Sequence, residues 1–171
     1  VLEMSFDERV ADLQERQRLL TGALVAVRKP TIAALPGPAA GAGLAIAMAC
    51  DIRIAAQSAF VSTGYLRVGL SGDYGIAWLL TRLVGTARAR ELMFTAEKVE
   101  ASRAEAIGLF NRVVPDDRLQ DDAFALARGM AQRPPGSCDP SPRPASFGCQ
   151  GAACLGSARR LSARPRPRRS R

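Results

Sequence analysis

The chain has 171 residues, of which 47% are apolar and 5% aromatic, and it carries a formal net charge of +8. This length suits one domain of ordinary size, and the apolar fraction is typical of a globular protein. There is no histidine, which excludes Ser-His-Asp and Cys-His nucleophile systems and histidine-ligated zinc. Proton transfer therefore falls to Asp, Glu, Lys, Tyr, Cys or water.

The positive charge is concentrated at the carboxyl end. Residues 134–171 hold eight Arg and one Asp, and therefore +7 of the net charge, together with seven of the 11 prolines. Hydrophobic periodicity stops there, and a packed core cannot be made from Pro, Ser, Gly, Ala and Arg. The sequence predicts a domain over 1–133 and a disordered basic tail over 134–171. The tail is either a solvated extension or, as the abrupt change after Pro134-Pro135 favours, an out-of-frame translation of a GC-rich gene.

The sequence predicts a cytoplasmic protein that does not enter a membrane. No apolar run reaches the roughly 18–20 residues needed to span a bilayer. Glu3, Asp7 and Glu8 give the amino end the wrong sign for a signal peptide. The four cysteines include no C-x-x-C pair, which favours a reduced protein over a secreted disulfide scaffold.

The first predicted element is an amphipathic helix over 6–27. Ser5 is a candidate N-cap, and Glu8 completes a capping box. Lys29-Pro30 ends the helix, because a residue before proline avoids helical backbone angles. The apolar side chains that recur at helical spacing are Phe6, Val10, Leu13, Leu20, Leu24 and Val27.

The rest of the body alternates short strands with helices, which predicts an α/β class. A second capping box, formed by Ser102 and Glu105, opens a short helix that Gly108 closes. Asp116-Asp117 begin the last helix, which reaches residue 132. The sequence predicts strands over 31–35, 51–56, 59–62 and 109–114, a buried uncharged helix over 39–50, helices over 76–83 and 87–95, and a glycine-rich loop over 69–75.

Several motifs occur in an order that resembles the enoyl-CoA hydratase/isomerase (crotonase) family. The motifs are K-P-T-I-A-A at 29–34, G-A-G at 41–43, C-D-I-R-I-A at 50–55, V-G-L at 68–70, R-L-V-G at 82–85 and N-R-V-V-P at 111–115. The usual family pattern is K-P-x-I-A-A-x-x-G-x-A-x-G-G-G, a helix, and C-D-x-R-I-A. The resemblance covers 13–132 and implies a crotonase-type β-β-α spiral, incomplete in this chain.

The resemblance implies chemistry on acyl-CoA or enoyl-CoA thioesters, as in fatty acid metabolism, by a lyase or an isomerase. An enolate would be held in an oxyanion hole, with coenzyme A entering only as part of the substrate and with no metal or separate cofactor. Family members usually form homotrimers or hexamers, but the sequence after Arg133 offers no helices for that assembly. Nucleic-acid binding through the arginine tail has little support, because Phe147 is the one aromatic residue among its arginines and the tail contains no recognisable nucleic-acid-binding module.

Gly41-Ala42-Gly43 is the candidate oxyanion corner. Glycines let backbone approach a ligand closely, and the first N–H groups of the helix that follows have no partner. By resemblance, the Ala42 N–H is one oxyanion donor, and Gly41 and Gly43 contact substrate. The alternative is a corner of small residues that serves packing only.

Two positions depart from the hydratase pattern. Hydratases of the family carry one Glu three residues into the helix after the glycines, and this position is Ala45. They carry a second Glu before the V-G-L segment, and this position is Tyr65 or Gly64. Neither supplies the base that hydration needs. Tyr65 is expected either to contact substrate and donate a hydrogen bond, or simply to pack.

Asp73 is the candidate catalytic carboxylate. The stretch G-L-S-G-D-Y-G at 69–75 resembles the G-L-x-x-D-x-G of the dienoyl-CoA isomerase branch, whose Asp moves protons. The alternative is that Asp73 caps the helix that begins near Gly75.

The activity is expected to be impaired. The second oxyanion donor of the family lies in an A-F-S-A-G-x-D-like segment, and Val1 begins after that point. The alternative to an enzyme is an inactive crotonase remnant that binds acyl-CoA or serves as an interaction protein.

Overall fold

The computed structural model describes residues 4–133, so the predicted tail over 134–171 lies outside the described residues. The helices are α1 Phe6–Gln17, α2 Ala23–Ala26, α3 Ala42–Ala49, α4 Ile76–Thr95, α5 Ala101–Ala106 and α6 Leu119–Ala131. The strands are β1 Ile32–Leu35, β2 Ala39–Ala40, β3 Ile52–Ala56, β4 Phe60–Ser62, β5 Val99–Glu100 and β6 Arg112–Val114. No helix among residues 4–133 is long and apolar enough to cross a membrane.

The strands form two three-stranded sheets. The first has the order β1-β3-β6 and is parallel throughout. The second has the order β2-β4-β5, with β2 parallel and β5 antiparallel to β4. β3 is the central strand of the first sheet and is buried over four of its five residues, as the apolar run of a central parallel strand requires. The fold is therefore α/β, as the sequence predicts.

The capping box that begins α1 is confirmed. The Ser5 main-chain N–H donates to Glu8 Oε2 at 2.7 Å, and the Glu8 N–H donates to Ser5 Oγ at 3.3 Å. The helical path continues through a π-helical segment, Arg18–Gly22, into α2. Thr21 is fully buried in that segment, whereas α1 itself has no buried residue.

The buried helix begins later than the sequence predicts. Ala39 and Ala40 pair with β4 instead of forming the first turn of α3, so the predicted start at residue 39 is wrong. From Ala42 onward the helix is buried on most sides, and Leu44 and Ala45 are 1% and 0% exposed. Small uncharged side chains let it pack closely against its neighbours, which is why it lacks an amphipathic pattern.

The predicted pair of helices over 76–83 and 87–95 is one element with a sharp break. α4 runs from Ile76 to Thr95, but Gly85 has φ 78° and ψ 164°, which are not helical angles. Only glycine adopts such angles without strain. The sequence therefore locates the break correctly, and the two halves remain adjacent across it.

The second predicted capping box is wrong. α5 begins after Glu100, and Ser102 lies inside the helix. The Glu105 carboxylate accepts instead from the Val113 N–H at 3.0 Å. The predicted strand over 109–114 shortens to β6, and the last helix opens with a 3₁₀ turn at Asp116–Arg118.

Arg53 fastens the middle strand to the segment before β6. Arg53 is 3% exposed, and its guanidinium donates to Leu109 O at 2.7 Å, to Cys50 O at 2.7 Å and to Asn111 Oδ1 at 3.1 Å. Burial lowers the pKa of Arg53. A buried cation without hydrogen-bond partners costs free energy, so the three bonds are needed for Arg53 to be buried. They therefore fix the distance between β3 and the segment before β6.

Candidate active site

Two parallel strands, β2 and β4, place the candidate residues at one edge of the second sheet. Ala39 lies opposite Val61, and Ala40 opposite Ser62. Because the strands are parallel, their carboxyl ends meet at the same edge. The Gly41 N–H extends this pairing by donating to Ser62 O at 3.1 Å. The segment after β2 therefore lies against the segment after β4.

Gly41 turns the chain sharply at this edge. Its φ of 52° and ψ of −123° are angles that a residue with a side chain adopts only under strain. A Cβ atom built there would lie 3.8 Å from Cζ of Tyr65 and 3.9 Å from its Oη. The tyrosine ring therefore lies beside Gly41, within contact distance of any side chain placed there, and the turn directs the chain into α3.

The turn leaves free N–H groups at the start of α3. The Ala45 N–H donates to Gly41 O at 3.1 Å, so the N–H groups of Ala42, Gly43 and Leu44 have no partner within the helix. Gly43 is exposed, and a Cβ atom there would meet nothing within 4 Å. At Gly43 the small residue is therefore not required by packing, whereas a side chain at Gly41 would meet Tyr65.

Hydroxyl groups at the end of β4 fix where the chain leaves the strand. Ser62 Oγ donates to Ala96 O at 3.0 Å, and Thr63 Oγ1 donates to Leu92 O at 2.9 Å. Both carbonyls lie at the carboxyl end of α4, and Leu92 O also accepts from the Ala96 N–H at 3.1 Å. Gly64 then takes a left-handed conformation, with φ 69°, and starts the 3₁₀ turn Tyr65–Val68.

Tyr65 and Asp73 are joined by a hydrogen bond. Tyr65 is 6% exposed, and its hydroxyl donates to Asp73 Oδ1. Burial, and then the hydrogen bond and the charge of Asp73, raise the pKa of Tyr65 above its ordinary value of 10.0. The phenol is therefore a hydrogen-bond donor throughout the neutral range. Tyr65 is therefore both packed and hydrogen-bonded to Asp73, and its contact with substrate stays a prediction.

Asp73 lies in a tightly turned loop and is half-buried. Gly72, Tyr74 and Gly75 all have positive φ, of 101°, 48° and 73°. The N-cap of α4 is Gly75, without a side-chain cap, so the prediction that Asp73 caps the helix is wrong. Only its main-chain oxygen bonds to the helix, by accepting from the Ile76 N–H at 3.0 Å.

The positions of the missing hydratase carboxylates are clear in the fold. Ala45 is fully buried, facing the core one turn into α3. Gly64 carries no side chain, and Tyr65 points to Asp73. No group of three or more His, Cys, Asp or Glu side chains able to hold a metal ion occurs among residues 4–133.

The structure brings together four of the five residues singled out in the sequence. Gly41 lies next to the Tyr65 ring, Tyr65 bonds to Asp73, and Ala42 follows Gly41 at the start of α3. Gly43 lies at the exposed start of the same helix. Their catalytic and binding roles remain predictions. The sequence gives no partner for the Tyr65 hydroxyl, because the eight-residue separation from Asp73 follows no regular element.

Comparison with known proteins identifies the family. Residues 3–139 match the family model described as enoyl-CoA hydratase/isomerase. The chain belongs to the enoyl-CoA hydratase/isomerase family. Over 106 residues it is 44% identical to the "Probable enoyl-CoA hydratase echA12" of Mycobacterium tuberculosis, a match that covers 61% of this chain and 37% of that protein.

Solved structures of this family share the fold. An enoyl-CoA hydratase from Bacillus anthracis aligns with a TM-score of 0.71 and 31% identity, over 77% of this chain and 51% of that one. A monofunctional enoyl CoA isomerase from M. smegmatis aligns with a TM-score of 0.61 and 34% identity, over 77% of this chain and 75% of that one. The crotonase-type fold is therefore shown, and the chain spans about two fifths of the length of the curated relatives it matches first.

Proposed function

We propose that this chain acts on enoyl-CoA thioesters as a double-bond isomerase, with Asp73 as the group that moves the proton. The observation that carries the proposal is that Tyr65 relates the two candidate groups: its hydroxyl bonds to Asp73, and its ring lies beside the Gly41 turn that begins α3. A carboxylate and unpaired backbone N–H groups supply a base and a site for developing negative charge.

The proposed reaction balances without a cofactor. The Asp73 carboxylate takes a proton from the carbon next to the thioester, and the C–H electron pair forms an enolate. The Ala42 N–H hydrogen-bonds to the thioester oxygen as it gains charge. Protonated Asp73 then returns the proton to the carbon two positions further along the acyl chain. The double bond has moved, and no electron has been lost or gained.

Hydration is not supported by the same residues. Adding water to a double bond needs a group that orients water and takes its proton. Alanine occupies the first hydratase position, and it is buried. The second position has either Gly64 or a tyrosine whose hydroxyl proton is engaged by Asp73. We therefore expect isomerisation to exceed hydration by at least about 10²-fold, the usual contribution of one positioned acid or base.

The test uses the full chain and two substrates. A 3-enoyl-CoA reports isomerisation through the gain of conjugated thioester absorbance, and crotonyl-CoA reports hydration through its loss. Asp73→Asn should lower isomerisation by about 10²-fold or more, and crotonyl-CoA should remain essentially unhydrated in both proteins. Asp117→Asn is the matched control, because Asp117 is an exposed aspartate outside the site.

Three outcomes would contradict the proposal. Hydration at ordinary enzymatic rates would mean that other residues supply the missing carboxylates. Isomerisation that ignores Asp73→Asn would remove the aspartate from the mechanism. Binding of acyl-CoA with no turnover would favour the non-catalytic acyl-CoA-binding protein.

A further inference from the structure

One side chain, Tyr65, lies next to both halves of the proposed site. Its ring lies beside Gly41, where an added Cβ atom would be 3.8 Å from Cζ. Its hydroxyl donates to Asp73 Oδ1. The backbone turn that leads to the Ala42 N–H and the proposed proton-transfer carboxylate are thus both adjacent to one phenol.

The hydrogen bond distinguishes the two oxygens of Asp73. A carboxylate has two equivalent oxygens and rotates easily about its last bond. Oδ1 accepts from the phenol, whereas no donor among residues 4–133 bonds to Oδ2. The bond therefore stops the rotation and leaves Oδ2 as the oxygen with free capacity for a proton.

Tyr65 is itself held from several sides. The two hydroxyl bonds of Ser62 and Thr63 fix the end of β4 on α4. The Tyr65 main-chain oxygen accepts from the Leu70 N–H at 2.9 Å. On the loop side, a Cβ atom at Gly72 would lie 3.8 Å from Cδ2 of the ring. A side chain fixed in this way can fix another group, whereas a mobile tyrosine could not.

We propose that Tyr65 is the positioning residue of Asp73, and that its hydroxyl orients the carboxylate so that Oδ2 takes and returns the proton. This inference rests on the proposed isomerase function. Tyr65 acts through Asp73 and exchanges no proton with the acyl chain. Its contribution is to the geometry of proton transfer, in which a displacement of about 1 Å can cost 10²-fold in rate.

The first experiment compares two tyrosine variants of the full chain. Tyr65→Phe keeps the ring on Gly41 and removes only the hydroxyl. We expect kcat for 3-enoyl-CoA isomerisation to fall about 10- to 10²-fold, with KM within about threefold of the parent, because the interaction matters mainly in the transition state. Tyr74→Phe is the control, since it removes the only other tyrosine hydroxyl from the residue next to Asp73.

The second experiment does not depend on activity. In a Tyr74→Phe background Tyr65 is the only tyrosine, so tyrosinate absorbance reports its ionisation alone. Asp73 favours the neutral phenol through the hydrogen bond and its charge. Adding Asp73→Asn should therefore lower the pKa of Tyr65, although burial keeps acting on it.

The outcomes separate the positioning role from the isomerase proposal. If Tyr65→Phe isomerises as fast as the parent while Asp73→Asn does not, Tyr65 positions nothing and the isomerase stands. If Asp73→Asn leaves the Tyr65 titration unchanged while circular dichroism shows both proteins folded across that pH range, the hydrogen bond is absent and the inference fails. If the titration moves but the parent chain turns over no enoyl-CoA, the isomerase proposal fails and the positioning role falls with it.

Discussion

At the scale of single residues, the shape of the candidate site depends most on Gly41. Its angles, φ 52° and ψ −123°, lie where a Cβ atom clashes with the backbone of the residue itself. Gly43 is two residues away and lies in the first turn of α3, with open space around its Cα. Identical substitutions at the two glycines therefore separate backbone strain from any other effect of a methyl group.

Gly41→Ala should destabilise the protein, and Gly43→Ala should not. A residue with a side chain held in such a region costs about 1–3 kcal/mol. An exposed helical position with free space tolerates alanine within about 0.5 kcal/mol. The free energy of unfolding in urea measures both. Equal effects at the two positions would show that the turn at Gly41 relaxes to ordinary angles.

The residues of the site were predictable to different degrees. The family motifs locate Gly41, Ala42 and Asp73, because those positions follow fixed spacings. The bond between Tyr65 and Asp73 was not predictable, since it requires the loop to fold back through Tyr74 at φ 48°. An aromatic residue seldom adopts this angle, so no local sequence rule indicates it.

At the scale of elements, one sequence pattern gave one correct and one wrong prediction. Ser-x-x-Glu caps α1 through Ser5 and Glu8. The same pattern at Ser102 and Glu105 caps nothing, because pairing of β5 with β4 sets the start of α5 two residues earlier. Tertiary contacts decide where α5 begins, whereas α1 has no buried residue to override its local signals.

Ser5→Ala should therefore fray α1, and Ser102→Ala should leave α5 unchanged. Loss of an N-cap serine costs about 1 kcal/mol, and with no buried residue in α1 the loss is local. Backbone Cα chemical shifts of residues 6–9 measure the fraying. A larger effect from Ser102→Ala than from Ser5→Ala would contradict this prediction and would show that Ser102 caps α5 after all.

The same cap gives α1 an acid-sensitive start. Hydrogen bonds from the Ser5 main chain, and then from its side chain, lower the pKa of Glu8 below 4.5. A carboxyl group whose pKa is lower in the folded than in the unfolded state stabilises the folded state at any pH above its unfolded pKa. This stabilisation is lost as the pH falls through the folded pKa. Residues 6–9 of the parent chain should thus begin to fray as the pH falls below 4.5. In Ser5→Ala the same fraying should depend less on pH.

At the scale of the whole molecule, strand order was the least predictable feature. The sequence predicts short strands around a buried helix but not which strands pair. β3 pairs with β1 and also with β6, and more than 50 positions separate the end of β3 from the start of β6. The Arg53 bonds to Leu109 and Asn111, just before β6, join the two segments at this point. Such long-range pairs leave no periodic trace in the sequence.

Removal of residues 134–171 should leave the stability of the folded body unchanged. Among residues 4–133 the last buried core residue is Ala123, and the composition after Arg133 is unsuited to a core. The melting temperature of a 1–133 variant should stay within about 2 °C of the full chain, because a change below about 0.5 kcal/mol shifts it no further.

A 1–118 variant is the control for that truncation. It loses α6 with Leu119, which is 2% exposed in the core, and should melt lower or not fold. The 1–133 variant should also be less soluble at neutral pH, because its net charge falls from +8 to +1 and charge keeps molecules apart. A large fall in melting temperature for 1–133 itself would show that residues beyond Arg133 stabilise the body, against the two-part division of the chain.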